Sequence, residues 1–164
     1  MKQGMPCSVS VYCMPCEVKE MERIPCADNS EAERTADGVL KQLRLTLQLL
    51  ASPPQAQLSH FPAHTVVVVL TDEMALDLEH WVQCVPTYWK LSQEQTAKLT
   101  TLDDFLDKMS TSLNRAFWRD EALSTDPRWE EVRSLVKGAL DSFGWPSEVP
   151  PLARYRDGML VDGE

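Results

Sequence analysis

The sequence has few of the residues on which most enzyme sites and membrane anchors depend. It contains only three histidines and six glycines in 164 residues, with no glycine-rich phosphate loop, internal repeat or heptad run. The longest apolar run is Val66–Leu70, whereas a membrane helix needs about 20 apolar residues. No apolar signal segment follows the first residues, so we expect a cytoplasmic protein with no membrane partner. No catalytic constellation is recognisable, and we therefore expect a binding protein rather than an enzyme.

Basic residues are scarce relative to acidic ones. The chain has 16 lysines and arginines against 25 aspartates and glutamates, which gives a net charge of −9. This balance argues against direct nucleic-acid binding, because such binding depends on basic side chains that neutralise phosphates. The imbalance is greatest at residues 71–107, where eight acidic side chains accompany two lysines. We expect any electrostatic function to lie in this window.

The five cysteines are unevenly distributed, and four of them fall within the first 26 residues. An odd number cannot pair completely within one chain, and clustered cysteines do not make a disulfide framework for the whole fold. Both features favour a reducing compartment.

The pair Cys13-Met14-Pro15-Cys16 is the most specific local motif. It resembles the redox motif of the thioredoxin and glutaredoxin families, although the similarity covers only residues 9–16. The resemblance implies that Cys13 is activated by a helix N-terminus and that Cys16 resolves the mixed disulfide. The same two cysteines have the spacing of one zinc knuckle, which Cys7 and Cys26 would complete. A thiol-redox or zinc-binding protein is therefore the alternative function.

Two stretches predict helices with defined ends. In Asp126–Gly144 an N-cap aspartate precedes a proline at the first helical position, apolar residues recur at helical spacing, and a glycine closes the stretch. Ser30–Ala51 has a similar apolar face. Residues 52–64 are proline-rich and predict an extended connector. Thr65–Leu70 is almost wholly β-branched and predicts a buried strand, with a helix from Pro62 onwards as the alternative.

The acidic window predicts further helices. One covers Asp72–Cys84, with Thr71 as its cap and Pro86 as its stop, and an aromatic turn follows. Ser92–Leu99 begins with a capping-box pattern, and a separate helix opens at Thr101. The sequence thus predicts an α+β fold that is mainly α, with five or six helices around one core and a small sheet of two or three short strands. Trp81, Trp118 and Trp129 take inward-facing positions and are expected in the core.

The chain divides into three parts on this interpretation. Residues 1–27 form an N-terminal segment that we expect to be flexible, and 28–146 form a single globular helical domain. Residues 147–164 form a tail, for which a hairpin and a loose end remain alternatives.

The strongest functional prediction concerns acidic side chains on the outer faces of two helices, close in sequence to an aromatic turn. For the rings of this turn, packing in the core or at its rim is the simpler interpretation, and an exposed position that binds a partner is the functional one. A solvated helix surface is the simpler interpretation of such charge runs. The functional interpretation is a surface that attracts a basic protein, as small acidic inhibitors and immunity proteins do by presenting carboxylates in place of phosphates. The predicted partner-binding residues are Asp72, Glu73, Asp77, Tyr88, Trp89, Asp103, Asp104 and Asp107.

Overall fold

A computed structural model describes residues 21–24, 30–60 and 69–150, together with two strands at 154–156 and 159–161. Within these ranges the chain is mostly helical. The helices are α1 (Ser30–Ala51), α2 (Pro54–Ser59), α3 (Leu70–Tyr88), α4 (Gln93–Met109), α5 (Ala122–Thr125) and α6 (Pro127–Phe143), and a 3₁₀ turn covers Ser112–Asn114. The strands are β1 (Glu22–Arg23), β2 (Trp89–Lys90), β3 (Arg154–Arg156) and β4 (Met159–Val161).

Four helices enclose the core. α1 packs against α3 and α6, and α4 also packs against α6, because each of these helices has an apolar face to bury. The largest core side chain is Trp129, whose ring stacks on Phe117 with the ring centroids 4.7 Å apart. The Trp129 indole also donates to the Phe117 carbonyl oxygen at 2.9 Å, so its polar atom is satisfied inside the core.

The predicted helix at Asp126–Gly144 is confirmed with both of its ends. The Asp126 side chain accepts a hydrogen bond from the Arg128 backbone N–H at 3.0 Å, which caps the first turn of α6. At the other end Gly144 has a φ of 69°. Only glycine takes this left-handed conformation without steric cost, and the helix stops there.

The two helices predicted between residues 92 and 113 form one helix instead. The capping box between Ser92 and Gln95 is present, with hydrogen bonds of 2.8 and 3.1 Å. Thr101 does not act as an N-cap, since its hydroxyl donates to the Ala97 carbonyl at 2.8 Å, one turn earlier in the same helix. α4 therefore runs unbroken from Gln93 to Met109.

The start of α3 corrects two predictions. A strand was predicted at Thr65–Leu70. Residues 65–68 lie outside the described residues, and at residues 69 and 70 the prediction is wrong. Val69 is the N-cap of α3, and Leu70 is its buried first residue. Thr71 is not the cap, because it is buried and its hydroxyl donates to the Trp118 carbonyl at 2.6 Å.

The end of α3 corrects a third prediction. Pro86 was expected to stop the helix, yet α3 continues to Tyr88 with Pro86 inside it. Proline removes one backbone donor, but the next turn still closes, since the Trp89 N–H bonds to the Val85 carbonyl.

The connector after α1 contains the short helix α2 where the sequence predicted extended chain. Pro54 occupies the first helical position, where a missing N–H costs nothing. The buried Gln57 side chain then donates to the carbonyls of Leu49 and Leu50 at 3.2 and 3.0 Å. These bonds satisfy carbonyls at the end of α1 that lack intrahelical partners.

The strands form two small antiparallel pairs. β1 pairs with β2, with Arg23 opposite Trp89, and β3 pairs with β4, with Tyr155 opposite Leu160. Of the two alternatives for the tail, the structure thus forms the hairpin. The predicted class, α+β and mainly α, is confirmed.

Candidate partner-binding cleft

α3 and α4 together border a cleft of about 230 Å³, which we call the acidic cleft. Each helix contributes residues three and four positions apart, so each set lies along one helix face. The C-cap residue of α4 and one residue after the 3₁₀ turn complete the lining. The lining comprises Asp72, Ala75, Leu76 and Glu79 from α3, Asp103, Asp104, Leu106 and Asp107 from α4, and Ser110 and Trp118 from the segment after it.

Negative charge is concentrated in the acidic cleft strongly enough to affect ionisation. Partial burial raises the pKa of the Asp103 carboxyl, and the neighbouring carboxylates of Glu79, Asp104 and Asp107 raise it further. Glu79 belongs to α3 and Asp103 to α4, so the repulsion acts across the cleft. Protonation of Asp103 is therefore easier than that of an isolated aspartate.

The five cleft carboxylates have no basic partner within the described part of the chain. None of them takes part in an ion pair there, whereas acids elsewhere do: Asp126 lies 2.6 Å from Arg128, and Glu130 lies 2.9 Å from the buried Arg133. Unpaired like charges held close together reduce stability. The acidic cleft is thus a concentration of charge that the rest of the described fold leaves uncompensated.

Trp118 lines the acidic cleft and is held by both helices. Its indole N–H donates to the Met109 carbonyl at the end of α4 at 2.9 Å. Its own carbonyl accepts the Thr71 hydroxyl of α3, and its ring meets that of Phe117 edge-on at 4.9 Å. These contacts fix the indole before any ligand arrives.

The structure separates the predicted acidic residues into two groups. Asp72, Asp103, Asp104 and Asp107 line the acidic cleft together. Glu73 and Asp77 do not line it, since they follow a neighbouring face of α3. Burial and the nearby carboxylates of Asp77 and Asp72 raise the pKa of Glu73, so negative charge extends beyond the cleft along this helix.

The prediction of Trp89 as an exposed aromatic anchor is wrong. Only 8 % of Trp89 is exposed, its indole N–H donates to the Ala36 carbonyl of α1 at 2.9 Å, and the Arg23 guanidinium covers the ring at 5.0 Å. The reason is that α3 continues past Pro86 to Tyr88. Trp89 therefore begins β2, where its side chain contacts α1. Tyr88 is half-buried and packs on the core.

The sequence interpretation missed cleft residues that the fold brings in. Glu79 and Leu76 follow Asp72 by seven and four positions, so helical spacing alone could have placed them on the same face. Trp118 was expected in the core and is instead half-buried at the cleft edge. No sequence signal indicates this position, because it depends on how the loop after α4 folds back onto α3.

The described residues show no prepared metal site, since no group of three or more His, Cys, Asp or Glu side chains is placed to hold an ion. Cys7, Cys13, Cys16 and Cys26 lie outside the described residues. Cys84 is free and half-buried, with its sulfur 3.7 Å from His80 Nε2. No helix in the described ranges is long and apolar enough to cross a bilayer.

Comparison of the chain with family models, curated proteins and solved structures finds no match.

Proposed function

We propose that the protein acts by binding a basic partner protein through the acidic cleft, in the manner of a small inhibitor, immunity protein or regulator. The observation that supports this function best is the convergence of five carboxylates from α3 and α4 on one cleft, without a compensating cation in the described structure. A fold that needed these acids only for solubility would gain stability by spreading them apart.

A basic partner would relieve the repulsion that the free protein contains. Its lysine or arginine side chains would lie between the carboxylates of α3 and those of α4, and would favour the ionised form of Asp103. Partial burial strengthens such contacts relative to fully exposed ion pairs. The surrounding negative potential would also accelerate association with a positively charged protein, so the association rate should fall as salt is added.

The cytoplasm is the proposed compartment, on the grounds of the odd number of cysteines and their clustering. The alternative function, thiol-redox or zinc chemistry at Cys13 and Cys16, concerns residues outside the described ranges. Zinc analysis and thiol titration of the purified protein test it: bound zinc or a reactive low-pKa thiol would support that alternative.

Binding of a labelled decalysine peptide provides the test, because this probe supplies the expected charge without a named partner. The cleft variant combines Asp103→Asn and Asp107→Asn. The control variant combines Glu131→Gln and Asp141→Asn, which change the net charge equally at exposed positions of α6. With each lost ion pair contributing about 0.7 kcal/mol, the cleft variant should bind about tenfold more weakly. The control should change affinity by less than about twofold.

Two results would contradict the proposal. Equal loss of affinity in both double variants would mean that the peptide follows the overall charge rather than the acidic cleft. Affinity that stays constant between low and high salt would mean that carboxylates do not determine binding at all.

A further inference from the structure

Apolar side chains also line the acidic cleft. Leu76 lies between Asp72 and Glu79 on α3 and is 51 % exposed. Ala75 lies beside it, and Leu106 and the Trp118 indole border the same space. These side chains, which we call the apolar floor, lie among the carboxylates of the cleft, and water in the free protein contacts the exposed part of Leu76.

Two members of the apolar floor, Trp118 and Leu106, are held in place by the fold. Both ends of the Trp118 residue are hydrogen-bonded, the indole to α4 and the carbonyl to α3. Leu106 is buried in the core on its other side. A ligand that contacts these two side chains would not have to order them first, and preorganised contacts of this kind contribute more of their energy to affinity.

We propose that the acidic cleft recognises a basic segment of the partner protein in which an apolar side chain lies between cations. The apolar side chain covers Leu76 and Trp118, while the cations on one side meet Asp72 and those on the other side meet Asp107. This inference rests on the proposed function and adds a requirement to it. The carboxylates require a basic segment, by charge complementarity. The exposed Leu76 among them requires that this segment also contains an apolar side chain.

Two synthetic peptides test the requirement directly. One has a leucine between two pairs of lysines, and the other has glycine in place of the leucine, so their charges are equal. Covering Leu76 with a leucine side chain removes apolar surface from water on both molecules. We expect the leucine peptide to bind about tenfold more tightly in calorimetric titration.

A matched pair of variants locates the effect. Leu76→Ser should abolish the difference between the two peptides. Leu113→Ser should preserve it, because Leu113 is 94 % exposed in the 3₁₀ turn and does not line the cleft. Both leucines are on the surface, so neither change should prevent folding.

The outcomes separate this inference from the function on which it rests. Equal affinity for both peptides, together with dependence on the cleft carboxylates, would overturn the apolar requirement and leave charge-based binding intact. If neither peptide binds, the proposed function fails along with the inference. Self-association of the free protein that Leu76→Ser abolishes would identify a second copy as the occupant of the cleft, and this too would overturn the proposal.

Discussion

Neutralising one cleft carboxylate should make the free protein more stable. Asp103 is half-buried, and burial together with Glu79, Asp104 and Asp107 raises its pKa. Screening by solvent reduces each repulsive contact to a few tenths of a kcal/mol. Three neighbours and partial burial then give about 1 kcal/mol for Asp103→Asn, or a rise in melting temperature of about 2–4 °C for a chain of this length.

Urea unfolding at low and high salt measures this gain. Salt screens the repulsion, so the advantage of Asp103→Asn should shrink as salt is added. Glu131→Gln is the control, because Glu131 is an exposed acid of α6 that does not line the acidic cleft. A loss of stability in Asp103→Asn would refute the reasoning, since it would mean that this carboxylate has a favourable partner in the native state.

Three further predictions follow from individual contacts. Asp126→Ala should lower the free energy of unfolding by about 1–2 kcal/mol in urea titration, because the side chain caps α6. Its hydrogen bond with Arg128 lowers the pKa of Asp126, so this stabilisation is present above the ordinary aspartate range and should be lost in acid titration as the pH falls through the lowered pKa. Trp89→Phe should cost about 1–2 kcal/mol in thermal unfolding, because it removes a buried hydrogen bond and leaves unfilled space where the larger indole packs; an exposed anchor would cost nothing. Decalysine affinity should begin to fall at a higher pH than it would if Asp103 had an ordinary aspartate pKa, because partial burial and the neighbouring carboxylates raise the pKa of Asp103; peptide titration at several pH values measures this.

Local signals in the sequence predicted the helices whose ends are encoded by their own residues. Asp126 and Gly144 mark the two ends of α6, and Ser92 with Gln95 marks the start of α4. Each of these signals acts within one helical turn, so no knowledge of the rest of the fold is needed to interpret it. The outward position of the acids followed from helical spacing for the same reason.

The errors occurred where tertiary packing overrides a local preference. Thr71 has the chemistry of a cap, but its hydroxyl is used by Trp118 on a distant loop. Pro86 has the chemistry of a helix stop, but the helix passes through it and delivers Trp89 to a buried position against α1. The sequence could indicate which helices carry acids. It could not indicate that a half-buried tryptophan and an exposed leucine would lie between them, because that depends on how α3, α4 and the following loop pack together.

Amide chemical-shift mapping by NMR with the decalysine peptide tests the central claim most directly. If the acidic cleft binds basic partners, the largest shifts should fall on residues 72–79 and 103–110, with the Trp118 indole N–H among them. Shifts of similar size on exposed acids of α6, such as Glu131 and Asp141, would show that the peptide contacts negative charge wherever it occurs, and would contradict a specific role for the cleft.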